Sequence, residues 1–272
     1  MKTSFSALFF AVCFAVSPLR AEVPERTPWT MEESYSGLHQ NSFNKLRYEV
    51  PILMRQTMID LAVRCGLNFE EGWLYPLTIQ FEDDAPYGVE NILAYVRMAQ
   101  DSEGNIRQQL VINLGAYDRE NFNFKQVFAH ELVHAMLNDS LGPDSRKVPQ
   151  WFHEGLAVYG AGQGEAMTKY YVSTEPDADA AYFLTGLQGP RTAIHYMEDY
   201  LAFKYIREHH GINSLHNLVR EVVKRKGDVP SAIIYTCGEE WDQFVDSTRK
   251  FAEEEIFQVG RSLHGERPTR PF

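Results

Sequence analysis

The segment from Phe124 to Met136 constrains this chain more than any other, because it is apolar on most sides yet carries His130, Glu131 and His134. Phe124, Val127, Phe128, Leu132, Ala135 and Met136 give it a broad apolar surface, so a helix is expected over about Asn123–Leu137, buried in the middle of a domain. On a helix, residues i and i+4 project from the same face. His130 and His134 can therefore reach one Zn²⁺ at Zn–N distances of about 2.0–2.1 Å. Glu131 is rotated enough to sit beside the metal, where it can take a proton from a metal-bound water without ligating. The pattern H-E-x-x-H arises by accident in about one chain in a hundred of this length. Its surroundings have to decide.

Before the motif, Ile52, Leu53, Met54, Met58, Ile59, Leu61 and Ala62 recur near helical spacing between Pro51 and Cys65, with Gly66 as a stop. Residues 22–45 are polar and proline-bearing and are expected to be an extended lead-in. Three strand-like runs follow, Leu77–Phe81, Ile92–Met98 and Gln109–Leu114, with turns at Asp83–Pro86 and Asp101–Asn105. They predict a small, mostly antiparallel sheet. After the motif, a helix is expected from near Pro149 to Gly160–Gly162. Residues 163–190, with the acidic run Glu175–Asp179, read as a long polar connection that could close over a cleft. From Arg191 the chain reads as helical over Ala193–His209, Ile212–Arg225 and Glu239–Phe257, and 258–272 as a loose tail. The fold class expected is α+β: a lead-in and helix over 22–75, then a main domain over 76–257 made of a small sheet lobe, the motif helix and a helical C-terminal lobe. Clefts at such junctions are common active sites.

A catalytic zinc takes three protein ligands and keeps a fourth position for water. The third donor is expected in Pro149–Tyr159, where Glu154 lies twenty residues after His134, enough for one helix to end and a second to return. Gly155 would let that second helix approach the first closely. His153 is a competing ligand, but adjacent helix positions point about 100° apart, so only one of the two can face the metal.

H-E-x-x-H followed by Glu within Trp151-Phe152-His153-Glu154-Gly155-Leu156-Ala157 resembles the gluzincin metallopeptidases, most of all the peptidase MA-like group, and more distantly thermolysin and aminopeptidase N. The likeness extends over about Leu77–Phe251, through Tyr196–Ile206, His210-Gly211-Ile212 with Leu215 and Leu218, and Gly238–Trp241. The resemblance implies a zincin-like fold, one Zn²⁺ held by His130, His134 and Glu154, and Glu131 as general base and acid. It also implies Tyr196 as donor to the oxyanion, with His195 and Tyr159 as the other candidates. Two positions depart from the family: Val158 stands where thermolysin-like enzymes have an acid, and Asp199 where many relatives have Gly. The first leaves open what orients the ligand histidines. Nothing resembles the aminopeptidase G-x-M-E-N segment; the nearest text is Gly115-Ala116-Tyr117-Asp118, which leans towards endopeptidase action on peptide or protein substrates. The rival readings are a zinc-binding envelope scaffold without turnover, and a metal-dependent hydrolase of cell-wall amides. Asn113, ahead of the motif helix, reads either as a group that binds substrate backbone by strand addition or as a merely solvated asparagine.

The first 21 residues read as a secretory signal, with Lys2, an uncharged apolar run Phe5–Val16, and a cut after Ala21, which implies a secreted or periplasmic protein. No later segment has the length a membrane span needs. Loss of Lys2 and Arg20 would take the formal charge from −11 to −13. Such acidity argues against nucleic-acid binding and against attachment to anionic membranes. Cys65 and Cys237 would remain, either as a disulfide or as two buried thiols. Oligomeric state is not encoded in any motif.

Overall fold

The structure is a computed structural model, and it describes residues 25–67, 72–83, 92–100, 105–119, 123–174 and 193–263. Helix α1 (Gln40–Cys65) begins well ahead of Pro51, which lies inside it. Its buried residues Phe43, Leu46, Val50, Met54, Thr57, Leu61 and Cys65 keep three- and four-residue spacing straight through the proline. A proline in a helix interior costs about 3 kcal/mol, whereas each fully buried large apolar side chain contributes about 1.5–3 kcal/mol. The buried stripe wins. The helix ends as expected at Gly66, whose φ of 68° is the left-handed conformation that lets its N–H reach the Ala62 carbonyl.

The lead-in is not wholly irregular, because Thr30–Met31 (β1) pairs with β2 (Leu77–Glu82). Strand β2 alternates buried and half-buried positions, with Leu77, Ile79 and Phe81 facing the core. Strands β3 (Ala94–Gln100) and β4 (Ile106–Asn113) complete a four-stranded sheet in the order β1-β2-β4-β3. The α+β class is as the sequence suggests, and β3 and β4 form an antiparallel pair. The sheet as a whole is mixed rather than mostly antiparallel: β4 inserts between β2 and β3 and runs parallel to β2, as β1 does. A connection from β2 that leaves room for β4 beside it is what makes the β2–β4 pair parallel. The two expected turns fall largely outside the described residues.

From β4 the chain enters α2 (Leu114–Arg119) and then α3 (Phe124–Leu141), the motif helix, whose N-cap Asn123 accepts a hydrogen bond from the Gln126 N–H. A 3₁₀ turn (Gly142–Lys147) leads to α4 (Gln150–Ala161), closed by Gly162 at φ 70°. The next segment differs from expectation, since Gly164–Thr174 forms helix α5. Its buried residues are Gly164, Thr168 and Val172, a stripe too narrow to stand out as an apolar period. Residues 175–192, including Glu175–Asp179, lie outside the described residues.

Helices α6 (Ala193–Tyr205, continued by a π turn to His210), α7 (Ile212–Lys224), α8 (Val229–Cys237) and α9 (Trp241–Leu263) make the helical C-terminal lobe. Helix α9 runs past Phe257 into the stretch expected to be loose, because Ile256 and Val259 continue its apolar face and Gly260 lies against Val172 of α5. One hydrophobic cluster joins α1, the sheet, α3, α4 and the C-terminal helices. Among the described residues no helix is long and apolar enough to cross a membrane. The expected signal segment lies outside the described residues.

Cys65 and Cys237 are free thiols, the first buried and the second half-buried. Burial in apolar surroundings pushes the Cys65 thiol up to about 12 and raises that of Cys237 as well. Only the thiolate is nucleophilic, so a raised value means less of the reactive form at any given pH. In the native chain at pH 8, Cys65 is expected to resist iodoacetamide and Cys237 to react slowly. Mass mapping of the alkylated sites checks this, and rapid native labelling of Cys65 would contradict its burial.

Candidate metal centre

Helix α3 brings the two imidazoles together with their Nε2 atoms 3.2 Å apart and their ring centroids separated by 4.9 Å. Glu154 arrives from α4 and places Oε2 3.3 Å from His130 Nε2 and 3.6 Å from His134 Nε2. Among the described residues this is the one His/Cys/Asp/Glu group that could hold a metal ion. The dimensions are informative. Four donors at tetrahedral corners about 2.0–2.1 Å from a zinc ion stand roughly 3.3–3.4 Å from one another. The three edges found here, 3.2, 3.3 and 3.6 Å, describe one face of such a tetrahedron.

Position on α4 selects Glu154 over His153. The His153 ring lies 6.0 Å from that of His134, but its Nε2 is engaged 3.0 Å from the carbonyl oxygen of Ser145 in the 3₁₀ turn. Burial lowers the His153 pKa, with that hydrogen bond opposing it. The glycine expected to bring α4 against α3 proves to face elsewhere. A Cβ on Gly155 would overlap the Asp199 carbonyl oxygen on α6, because residue 155 is turned about 100° from Glu154. Gly160 does what was expected of Gly155: a Cβ there would lie 3.1 Å from Val133 of α3 and 2.8 Å from Leu61 of α1.

The electrostatics follow from three ionisable groups sharing a small volume. Burial works to raise the Glu154 carboxyl, but hydrogen bonds and charge from His130 and His134 outweigh it and hold the group well below the usual carboxylate range. At His130, burial works to lower the pKa, and Glu154 and Glu131 reverse it, so that the net direction is upward. Burial raises Glu131, against the opposing charges of His134 and His130. Glu131 also accepts a hydrogen bond from the backbone N–H of Val96 on the edge strand β3. The carboxylate next to the imidazole pair is thus held by the sheet.

His130 Nδ1 lies 3.0 Å from the side-chain oxygen of Gln163. Sequence reasoning missed this residue, since it follows α4 in a turn with no motif of its own. Val158, the position where the resemblance led one to look for an acid, is buried in the core at 1% exposure.

Tyr196 sits in the first turn of α6, half-buried against the hydrophobic core. Helix α6 abuts α4 where Gly155 meets Asp199, three residues beyond Tyr196. Tyr196 therefore belongs to the helix packed beside the one that carries Glu154, while the donor triangle itself is made by His130, His134 and Glu154. Tyr159 stacks near Tyr200 and Phe203 of α6, with ring centroids 6.3 Å away from each. Asn113 is corrected outright: it is fully buried on β4, an inner strand, and its side chain accepts from the Ala116 N–H to start α2. It offers nothing to a substrate backbone.

No protein-family model matches the chain, and neither curated proteins nor solved structures yield a significant match. The reading of the site rests on its own chemistry.

Proposed function

We propose that this protein is a zinc-dependent peptidase of the gluzincin type, hydrolysing peptide bonds in peptide or protein substrates with Glu131 as general base. The observation that carries the proposal is the donor triangle with a carboxylate beside it. His130 Nδ1 has an acceptor in Gln163, which leaves the Nε2 lone pair facing His134 Nε2 and Glu154 Oε2. Three such atoms in mutual contact need a positive charge among them, a proton on an imidazole when no metal is bound or a metal ion in its place. Two imidazole nitrogens and one carboxylate oxygen with tetrahedral spacing suit zinc best among divalent ions.

A zinc ion bound there would supply Lewis acidity, lowering the pKa of a coordinated water towards about 7 and polarising a carbonyl oxygen. Glu131 does the proton work: its carboxylate accepts the proton of the attacking water and passes it to the leaving amine. Burial raises the Glu131 carboxyl above the usual carboxylate value, the direction that favours a general base. Tyr196 is the proposed donor to the developing oxyanion. The apolar leader Phe5–Val16 supports a secreted or periplasmic location, where such a hydrolase would meet exported proteins or cell-wall peptides.

Metal analysis of purified protein together with cleavage-site mapping on a protein digest tests the proposal. About one zinc per chain and new peptide termini are expected. Cleavage confined to non-protein amides would replace the substrate class, and a chain without bound metal removes the proposal. The metal also has a stability signature, because a ligand that binds only the folded state at 100 times its Kd contributes about 2.7 kcal/mol. A chelator is therefore expected to lower the melting temperature of the wild type and to leave that of Glu154→Ala unmoved.

A further inference from the structure

Helix α4 delivers one zinc-ligand candidate from its middle, Glu154, and the turn that ends it delivers a second polar side chain to the same centre. Gly162, at φ 70°, closes α4 in a left-handed conformation, and the Gln163 N–H then bonds back to the Val158 carbonyl at 3.1 Å. The Gly162 carbonyl accepts from the Gln126 side chain at 3.0 Å, which ties the turn to α3 one turn ahead of His130. Gly164 follows directly, where a Cβ would overlap the Tyr200 ring of α6. The Gln163 backbone is therefore fixed from three sides, by α4, α3 and α6. Its side-chain oxygen meets His130 Nδ1 at 3.0 Å.

We infer that Gln163 is the positioning residue of the centre: its amide oxygen accepts the His130 Nδ1–H, fixing the ring's tautomer and rotation so that Nε2 faces Glu154 and His134. The inference rests on the metal reading above. A ligating histidine commonly donates its other N–H to a carboxylate, a backbone carbonyl or water. Here a neutral amide takes that place. Glu131 and Glu154 already bring two carboxyl groups to the centre, and an amide orients the imidazole without adding a third.

Zinc affinity of the full chain, measured by competition with a chelator of known affinity, tests this on the wild type, Gln163→Met and Gln163→Glu. Methionine keeps the length of the side chain but offers no comparable acceptor, whereas glutamate keeps an acceptor oxygen. Loss of such an outer partner typically costs 10–100-fold in metal affinity. Gln163→Met is expected to bind zinc about 10–100-fold more weakly, and Gln163→Glu to bind it at least as tightly as the wild type. Metal-free melting temperatures of the three chains show separately what the lost hydrogen bond costs the fold. Equal zinc affinity for the wild type and Gln163→Met overturns the positioning role while leaving the metal centre intact. Equal weakening in Met and Glu variants also overturns it, since a merely packed side chain would behave so. A wild-type chain that binds no zinc sinks the metal reading itself, a result separable from either of these.

Discussion

Glu131→Gln is expected to lower turnover by about 10²–10⁴-fold, the share general acid–base catalysis commonly contributes, while zinc stays bound. The substitution removes the basic oxygen and little else. Glutamine has the same shape, and its amide oxygen can still accept the Val96 N–H that holds residue 131 against β3. The three donor atoms belong to His130, His134 and Glu154, so the metal should be retained. The informative comparison is therefore activity against metal content in the same preparations. Loss of cleavage with full metal occupancy assigns Glu131 its role as base. If the wild type and Glu131→Gln both carry zinc and both fail to cleave a broad peptide library, the protein is a metal-binding scaffold. A variant that cleaves as fast as the wild type would move the base elsewhere.

The cluster of His130, His134 and Glu154 was legible because it rests on local geometry. His130 and His134 need only a helix to converge, and the apolar surroundings of that helix guarantee its burial. Glu154 was legible through its spacing, but choosing it over His153 needed the rotation of α4, which the Ser145 contact settles. Helix bounds marked by glycine were read well at Gly66 and Gly162, where a left-handed residue ends the helix. What failed has physical causes too. Pro51 looked like a start because a proline in mid-helix is costly, and only the full buried stripe of α1 reveals that the cost is met. Helix α5 was hidden by its thin stripe of Gly164, Thr168 and Val172. Gln163 could not be found from the sequence, since its contact with His130 depends on the φ of Gly162 and on two neighbouring helices. The sheet order was hidden for a similar reason, since strand neighbours are decided by long-range packing rather than by adjacency in the chain.

Gly155→Ala is expected to destabilise the fold and weaken the metal centre together, because one glycine serves both. An added Cβ would overlap the Asp199 carbonyl oxygen and lie 2.8 Å from the Asp199 carbonyl carbon and from Phe203 Cδ2. Two of those atoms are backbone and cannot rotate away, so α4 and α6 have to separate. Alanine favours a helix over glycine by about 1 kcal/mol, which offsets part of an overpacking cost of about 1–3 kcal/mol or more. The clash with main chain places the cost at the upper end of that range. A net loss of about 1–2 kcal/mol corresponds to roughly 2–8 °C in melting temperature for a chain of this size. Glu154 precedes Gly155 directly, so a shift of α4 also moves its carboxylate off the 3.3 Å and 3.6 Å distances to the imidazoles. Weaker zinc binding should accompany the lower melting temperature. Gly260→Ala is the matched control, since a Cβ there meets only Val172 at an ordinary 3.5 Å and the helical preference of alanine acts alone. If both variants melt alike and bind zinc alike, α4 and α6 do not touch as described, and the route by which α4 presents Glu154 to the histidines loses its support.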